Sequence, residues 1–240
     1  MRENRGKREL RPIEIFPGYL IHPLGSCFVK WGNTWVICSV RQEERVPPFL
    51  QGTGKGWITA EYGMLPGSTD IRISRDQHLG GRSQEIRRMI GRSLRGVTDF
   101  SLLGERTLRV DCDVIQADGG TRVASVVGGF VALIEALSKL HTRREISSWP
   151  LKEFLGAVSV GKLGNEFILD LDYSEDSQVE VDMNVVMTES KKCIEIQATG
   201  EEAPFSPEEL SRMLEIAWEG IEKIISLVKE VTLTLWKGRA

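Results

Sequence analysis

At 240 residues, with 41% hydrophobic and 27% charged residues, the chain is long enough to bury a sizeable core, and its composition excludes disorder and fibrous repeats. The net charge of −3 lacks the overall basicity that usually marks a nucleic-acid binder, so such a role would have to rest on how charge is distributed. No uninterrupted apolar run approaches the roughly 20 residues that span a bilayer, and Met1 to Arg11 alternates basic and acidic residues without the apolar stretch of a secretory signal; a cytoplasmic protein with no membrane partner is expected.

From the N-terminus, Ser26–Trp31 and Thr34–Val40 are apolar, β-branched runs flanking Gly32-Asn33, the pattern of a two-residue β-hairpin. Segment 46–69 is rich in Gly and Pro, which predicts a long loop with a short strand around Trp57–Ala60. Its Gly52-Thr53-Gly54-Lys55-Gly56-Trp57 run has neither the spacing nor the following helix of a dinucleotide-binding fingerprint. Between Arg82 and Val97 the period changes to that of a helix, with Ile86, Met89, Ile90, Ser93, Leu94 and Val97 on one stripe and Arg88, Arg92 and Arg95 opposite it. That arginine face suits RNA contact, solvation or pairing across a subunit contact.

Arg106 to Gln116 alternates as a half-buried strand, turns at Gly119-Gly120 and leads into a helix from about Thr121 to Leu140. Two hairpins are expected beyond it, Leu155–Val160 with Glu166–Leu171 and Val179–Thr188 with Cys193–Ala198. A last helix should start where Ser206 caps, Pro207 takes the first helical position and Glu209 completes a capping box, and run to about Lys229. This order predicts an α+β fold over residues 1–240, one domain of two similar β-α halves with helices packed on mixed sheets. Cys27, Cys38, Cys112 and Cys193 lie in apolar strand-like segments without a CxxC pair and are expected to be reduced core residues. None of His22, His78 and His141 sits in a nucleophile or metal motif.

Three features carry chemistry. At Asp118-Gly119-Gly120-Thr121-Arg122 two glycines let the backbone approach a ligand, the helix N-terminus favours an anion, and Thr121 and Arg122 add a hydroxyl and a forked cation. A tight turn with a helix cap would look the same. Arg82, extrapolated back along its helix, falls on the apolar stripe, where it needs either an anion shared with Arg122 or an acidic partner. Asp182 shares the polar face of a strand with Glu180 and Asn184, and Asp176 lies in the preceding turn; such a pair suits Mg²⁺, although acidic turns are common. Arginines crowd 72–95 and carboxylates 170–182, as a polyanion substrate handled with a metal ion would require, or as two separately solvated surfaces would show.

Taken together, Gly54–Pro66, Gly80–Ile86, Asp111–Arg122, Glu175–Ser177 and Asp182–Met187 resemble, in order, the ribonuclease PH family of phosphate-dependent exoribonucleases, related to polynucleotide phosphorylase and the archaeal exosome ring. The resemblance spans nearly the whole chain. It implies that Arg82, Gly120, Thr121 and Arg122 bind inorganic phosphate as co-substrate, and that Asp176 and Asp182 serve catalysis with Mg²⁺ or Mn²⁺. It also implies a tRNA nucleotidyltransferase that trims the 3′ ends of tRNA precursors, releases nucleoside diphosphates and runs in reverse, built as a homo-hexamer (a trimer of dimers). Arg72 and Arg75 match RNA-contacting arginines, whereas Gly67 stands where an arginine is common and the stretch to Arg82 is short. A non-catalytic RNA-binding ring subunit and a hydrolytic metal-dependent nuclease are the alternatives.

Overall fold

A computed structural model describes residues 5–76 and 80–237, so Met1–Asn4, His78 and part of the short stretch before Arg82 lie outside the described residues. Among the described residues, nine strands form two sheets. The first has the order β1-β2-β3-β5-β4, from Ile13–Pro17 (β1), Gly25–Trp31 (β2), Thr34–Glu43 (β3), Trp57–Met64 (β4) and Thr107–Gln116 (β5). The second has the order β7-β6-β8-β9, from Leu155–Leu163 (β6), Glu166–Leu169 (β7), Val181–Thr188 (β8) and Cys193–Gly200 (β9). Pairing is antiparallel except between β4 and β5, whose crossover carries helix α1, Gly81–Gly96.

Helix α2, Thr121–Thr142, packs against both sheets, and one continuous core unites them. Its length and hydropathy would suffice to cross a bilayer, yet 94% of that stretch is buried inside the fold, so it is the core helix. Helix α4, Pro207–Thr232, begins with the expected capping box, in which Ser206 Oγ accepts from Glu209 N and Glu209 Oε2 from Ser206 N. It lays its apolar stripe, including Ile216, Ile221, Ile224 and Val228, on β6, β7 and β8. Each such side chain removed from water contributes about 1.5–3 kcal/mol before chain entropy is set against it.

The expected hairpins and three long helices are present, and several expectations are corrected. β1 has no forerunner in the sequence pattern, and β4 runs to Met64 rather than Ala60 because β5 pairs with all of it. The turn before β8 closes into a short helix, α3, Tyr173–Asp176. Cys193 is exposed, since it opens an edge strand, while Cys27, Cys38 and Cys112 are buried. The three arginines placed opposite the apolar stripe of α1 are not all freely solvated: Arg92 pairs with Glu195, Arg95 is half-buried under Trp57 and donates to Ile58 O, and Arg88 is exposed. Asp182 and Asn184 share a face of β8 as expected and are joined by a hydrogen bond, but that face is largely covered, for Asn184 is 4% exposed and Asp182 only partly accessible.

Candidate active site

The phosphate-type turn is built on backbone geometry. Gly119 and Gly120 both take positive φ, 72° and 68°, where an L side chain is strained. At Gly119 a Cβ would also stand 2.6 Å from Leu171 O. Thr34 Oγ1 accepts from Asp118 N at 2.9 Å and donates to Gly119 O at 2.6 Å, which ties the turn to the start of β3. No side chain caps α2, so its first-turn N–H groups remain available to an anion.

Around this turn the structure gathers Arg122, Thr121, Arg82, Asp176 and Asp182. Arg122 Nη1 lies 4.0 Å from Asp182 Oδ2 and its Nη2 3.9 Å from Glu85 Oε2, distances too long for hydrogen bonds. Arg122 Nε is buried with no partner. A forked cation left this incompletely matched among carboxylates is poised for a further anion. Tyr62, buried on β4, donates to Thr121 Oγ1 at 3.0 Å. Burial pushes its phenol up, against the pull of Thr121, Arg82 and Arg122. Arg82 thus acts on Tyr62 and also on Asp176, and it is exposed in the first turn of α1.

Asp182 lines a cavity of about 420 Å³ with Glu85, Arg122, Gln197, Thr199 and Glu201. Its Oδ2 accepts from Asn184 Nδ2 at 3.1 Å, and its Oδ1 is buried without a partner. Burial, with repulsion from Asp176 and Glu201 outweighing the pull of Arg122, raises its pKa to about 6. Asp176 closes α3, which Asp172 and Glu175 cap, and keeps substantial contact with water. It too is shifted upward, first by partial burial, while Arg122 and Arg82 oppose the shift.

A buried carboxylate oxygen with no donor, beside a second carboxylate, fits a divalent cation bound by two protein oxygens, water and substrate phosphate. Among the described residues no group of three or more His, Cys, Asp and Glu is placed to hold a metal by itself. Arg72 and Arg75 are exposed on the loop after Pro66, whose base is tied to the strand before the turn through Leu65 N to Val114 O and Ala117 N to Ser68 O. Neither arginine lines the cavity at Asp182.

The sequence pattern assigns no role to Tyr62, Glu85 or Glu201. Tyr62 has a local signal, because it follows Ile58 and Ala60 on the core-facing positions of β4 and is the one polar-tipped residue of the three. Glu85 and Glu201 are ordinary surface acids in the sequence and gain meaning only from the packing of β9 beside α1.

A family model described as "3′ exoribonuclease family, domain 1" matches residues 9–138, and its domain 2 matches residues 153–220. Ribonuclease PH of Moorella thermoacetica is 56% identical over 230 residues, covering 95% of this chain and 92% of that protein. Ribonuclease PH of Bacillus mycoides is 51% identical over 232 residues, covering 95% of each. Among solved structures, an Archaeoglobus fulgidus exosome with RNA bound to the active site aligns with a TM-score of 0.77 at 19% identity, over 97% of this chain and 91% of that one. An archaeal exosome core gives 0.75 at 20% identity, over 94% and 89%. At such identities the structural likeness bears on the fold alone.

Proposed function

The chain belongs to the 3′ exoribonuclease family, and from that premise we propose that it is a phosphate-dependent 3′–5′ exoribonuclease acting on the 3′ ends of tRNA precursors. The observation that carries this is the incompletely matched Arg122 at the uncapped start of α2, 4.0 Å from a carboxylate whose other oxygen is buried and unpartnered. One element of the pair calls for an anion and the other for a cation, as joint binding of phosphate and a metal ion requires.

Inorganic phosphate would sit on Arg122, Thr121 and the N–H groups after Gly120, with Arg82 closing the exposed side. Tyr62 orients the Thr121 hydroxyl by donating to its oxygen, so that the Thr121 proton is free for the phosphate. As a phosphate oxygen bonds to the last bridging phosphorus, the bond to the 3′ oxygen breaks. That oxygen takes up a proton, and the terminal nucleotide leaves as a 5′-diphosphate. Holding nucleophile and diester together supplies orientation, and the arginines offset charge on the transferring group. Asp176 and Asp182 would hold Mg²⁺ or Mn²⁺, which would supply further neutralisation of the negative charge on the transferring group. Bond types on the two sides are alike, so addition of nucleotides from diphosphates should also proceed.

The same reading includes a homo-hexamer, exposed Arg72 and Arg75 as tRNA contacts, and a cytoplasmic setting. A hydrolytic nuclease would need a denser carboxylate cluster than the described residues supply. A non-catalytic ring subunit would have no need of the paired Arg122 and Asp182. Incubation of the protein with tRNA carrying extra 3′ nucleotides, with and without phosphate, is expected to release nucleoside diphosphates only when phosphate is present. Phosphate-independent release of monophosphates would overturn the proposal, and absence of any release would favour the binding subunit.

A further inference from the structure

Asp170 is fully buried and Arg11 is 7% exposed, and neither has a role in the chemistry above. Both oxygens of Asp170 are committed. Oδ1 accepts from Arg11 Nη2 at 2.7 Å and Nε at 3.1 Å. Oδ2 accepts from Arg11 N at 2.6 Å, Trp31 Nε1 at 3.0 Å and Arg5 Nη1 at 3.0 Å. The guanidinium of Arg11 is therefore fixed in plane and position, and its remaining nitrogen, Nη1, donates to Asp118 O and, at 3.5 Å, to Gly119 O. Gly120 lies against the same group, since a Cβ there would stand 2.8 Å from Arg11 Nη2.

Beyond Asp170 the chain passes directly to the metal side of the site. Asp170 takes a positive φ of 57°, and Leu171 and Asp172 then run against Gly119. Tyr173 N donates to Asp118 Oδ1 at 3.3 Å, and Asp172 caps the helix that ends in Asp176. One buried ion pair thus touches both the phosphate turn and the segment that delivers Asp176. A buried ion pair gains little net stability over an apolar pair of similar size, because desolvation offsets attraction. What it supplies is fixed geometry, and misplacement of reacting groups by about 1 Å costs on the order of 10²-fold in rate.

We propose that Arg11 and Asp170 are positioning residues, which hold the Asp118–Gly120 turn in its phosphate-binding shape and in register with the helix bearing Asp176. The proposal rests on the phosphate role given to that turn. Arg11→Lys keeps a charge for Asp170, but an ammonium cannot span both Asp170 oxygens and the Asp118 carbonyl as a planar fork does. Thr34→Val removes the other brace of the turn and leaves the ion pair intact.

Steady-state phosphorolysis by each variant, with phosphate and RNA varied separately, tests the assignment, together with the rise in Tm that phosphate produces by binding the folded state. Both variants should raise KM for phosphate, by roughly tenfold for Arg11→Lys, leave KM for RNA within about twofold, and blunt the phosphate-induced rise in Tm. A lower Tm in either variant with KM for phosphate, kcat and the phosphate-induced rise in Tm all unchanged would overturn it and leave the pair purely structural. Should Arg11→Lys fail to fold, Asp170→Asn, which keeps the side chain's shape and loosens its hold on Arg11, decides by the same measurements. Failure of the underlying phosphate role is seen separately, as wild-type protein that neither needs phosphate for release nor gains Tm from it.

Discussion

The two halves of the site differ in how nearly complete they are. The turn from Asp118 to Gly120 is braced by Thr34, Arg11 and the passing backbone of Leu171–Asp172, so its shape exists before any ligand arrives. The acidic half is the reverse: Asp182 is held at a pKa of about 6 by burial and by neighbouring carboxylates, and one of its oxygens has no donor. A preformed anion cradle costs little reorganisation when phosphate binds, whereas a carboxylate pair in this state is completed by a cation. The molecule places rigidity on one side and unrelieved electrostatic tension on the other.

The largest expected effect breaks the cradle. Arg122→Ala removes the forked charge from the turn and should lower phosphorolysis by roughly 10²–10³-fold or more, the cost of deleting one preorganised charged group, with circular dichroism and oligomeric state unchanged. Unchanged turnover at limiting phosphate would remove Arg122 from its role. Next, Asp182→Asn should abolish turnover yet stabilise the metal-free protein. Its folded pKa lies above the unfolded value, so burial of the carboxylate costs stability at pH above about 6 and costs nothing below the ordinary aspartate value of 3.8. The gain from Asn should therefore be present at pH 7.5, on the order of 1–2 kcal/mol after allowing for water at the site, and should vanish toward pH 4. Thermal unfolding across that range checks it; a loss of stability at pH 7.5 would mean that Arg122 outweighs the burial.

The same asymmetry governs what is legible in the sequence. Gly119-Gly120-Thr121-Arg122 is contiguous, and glycines between a strand and a helix announce a backbone purpose whatever the tertiary setting. Asp176 and Asp182 sit close enough in sequence to be paired by eye, although the sequence does not reveal that β8 is covered on both faces and that burial raises the Asp182 pKa. Arg11 and Asp170 are separated by 159 residues, follow no period and belong to no motif, so nothing short of the fold shows that they meet. Arg82 could be given a direction around its axis from the helical period, but not the exposure that the structure shows. Cys193 shows that an apolar neighbourhood in sequence can still be the start of an edge strand.

A smaller effect should come from Tyr62→Phe, which keeps the buried ring and removes only the hydroxyl bonded to Thr121. Thr121 then loses its orienting donor, and KM for phosphate should rise about five- to tenfold, in line with the roughly 1 kcal/mol of a single neutral hydrogen bond. KM for RNA should hold steady. If KM for RNA moved instead, Tyr62 would belong to the polymer path and the cradle would be less self-contained than its geometry implies.

The smallest effect per residue lies outside both halves. Arg72 and Arg75 stand exposed on a loop whose base is tied to the strand before the turn, and Gly67 offers no third charge there. If they bind RNA phosphates, Arg72→Ala or Arg75→Ala should weaken tRNA binding and reduce the slope of log affinity against log salt by about 0.7–0.9 for each phosphate no longer neutralised. A 3′ oligonucleotide too short to reach the loop should be phosphorolysed at the wild-type rate, because neither substitution alters the cradle or the acidic pair. Equal losses on short oligonucleotide and tRNA would place these arginines in the reaction centre itself. An unchanged salt slope would leave them as solvated charge and confine RNA recognition to the region around Arg82.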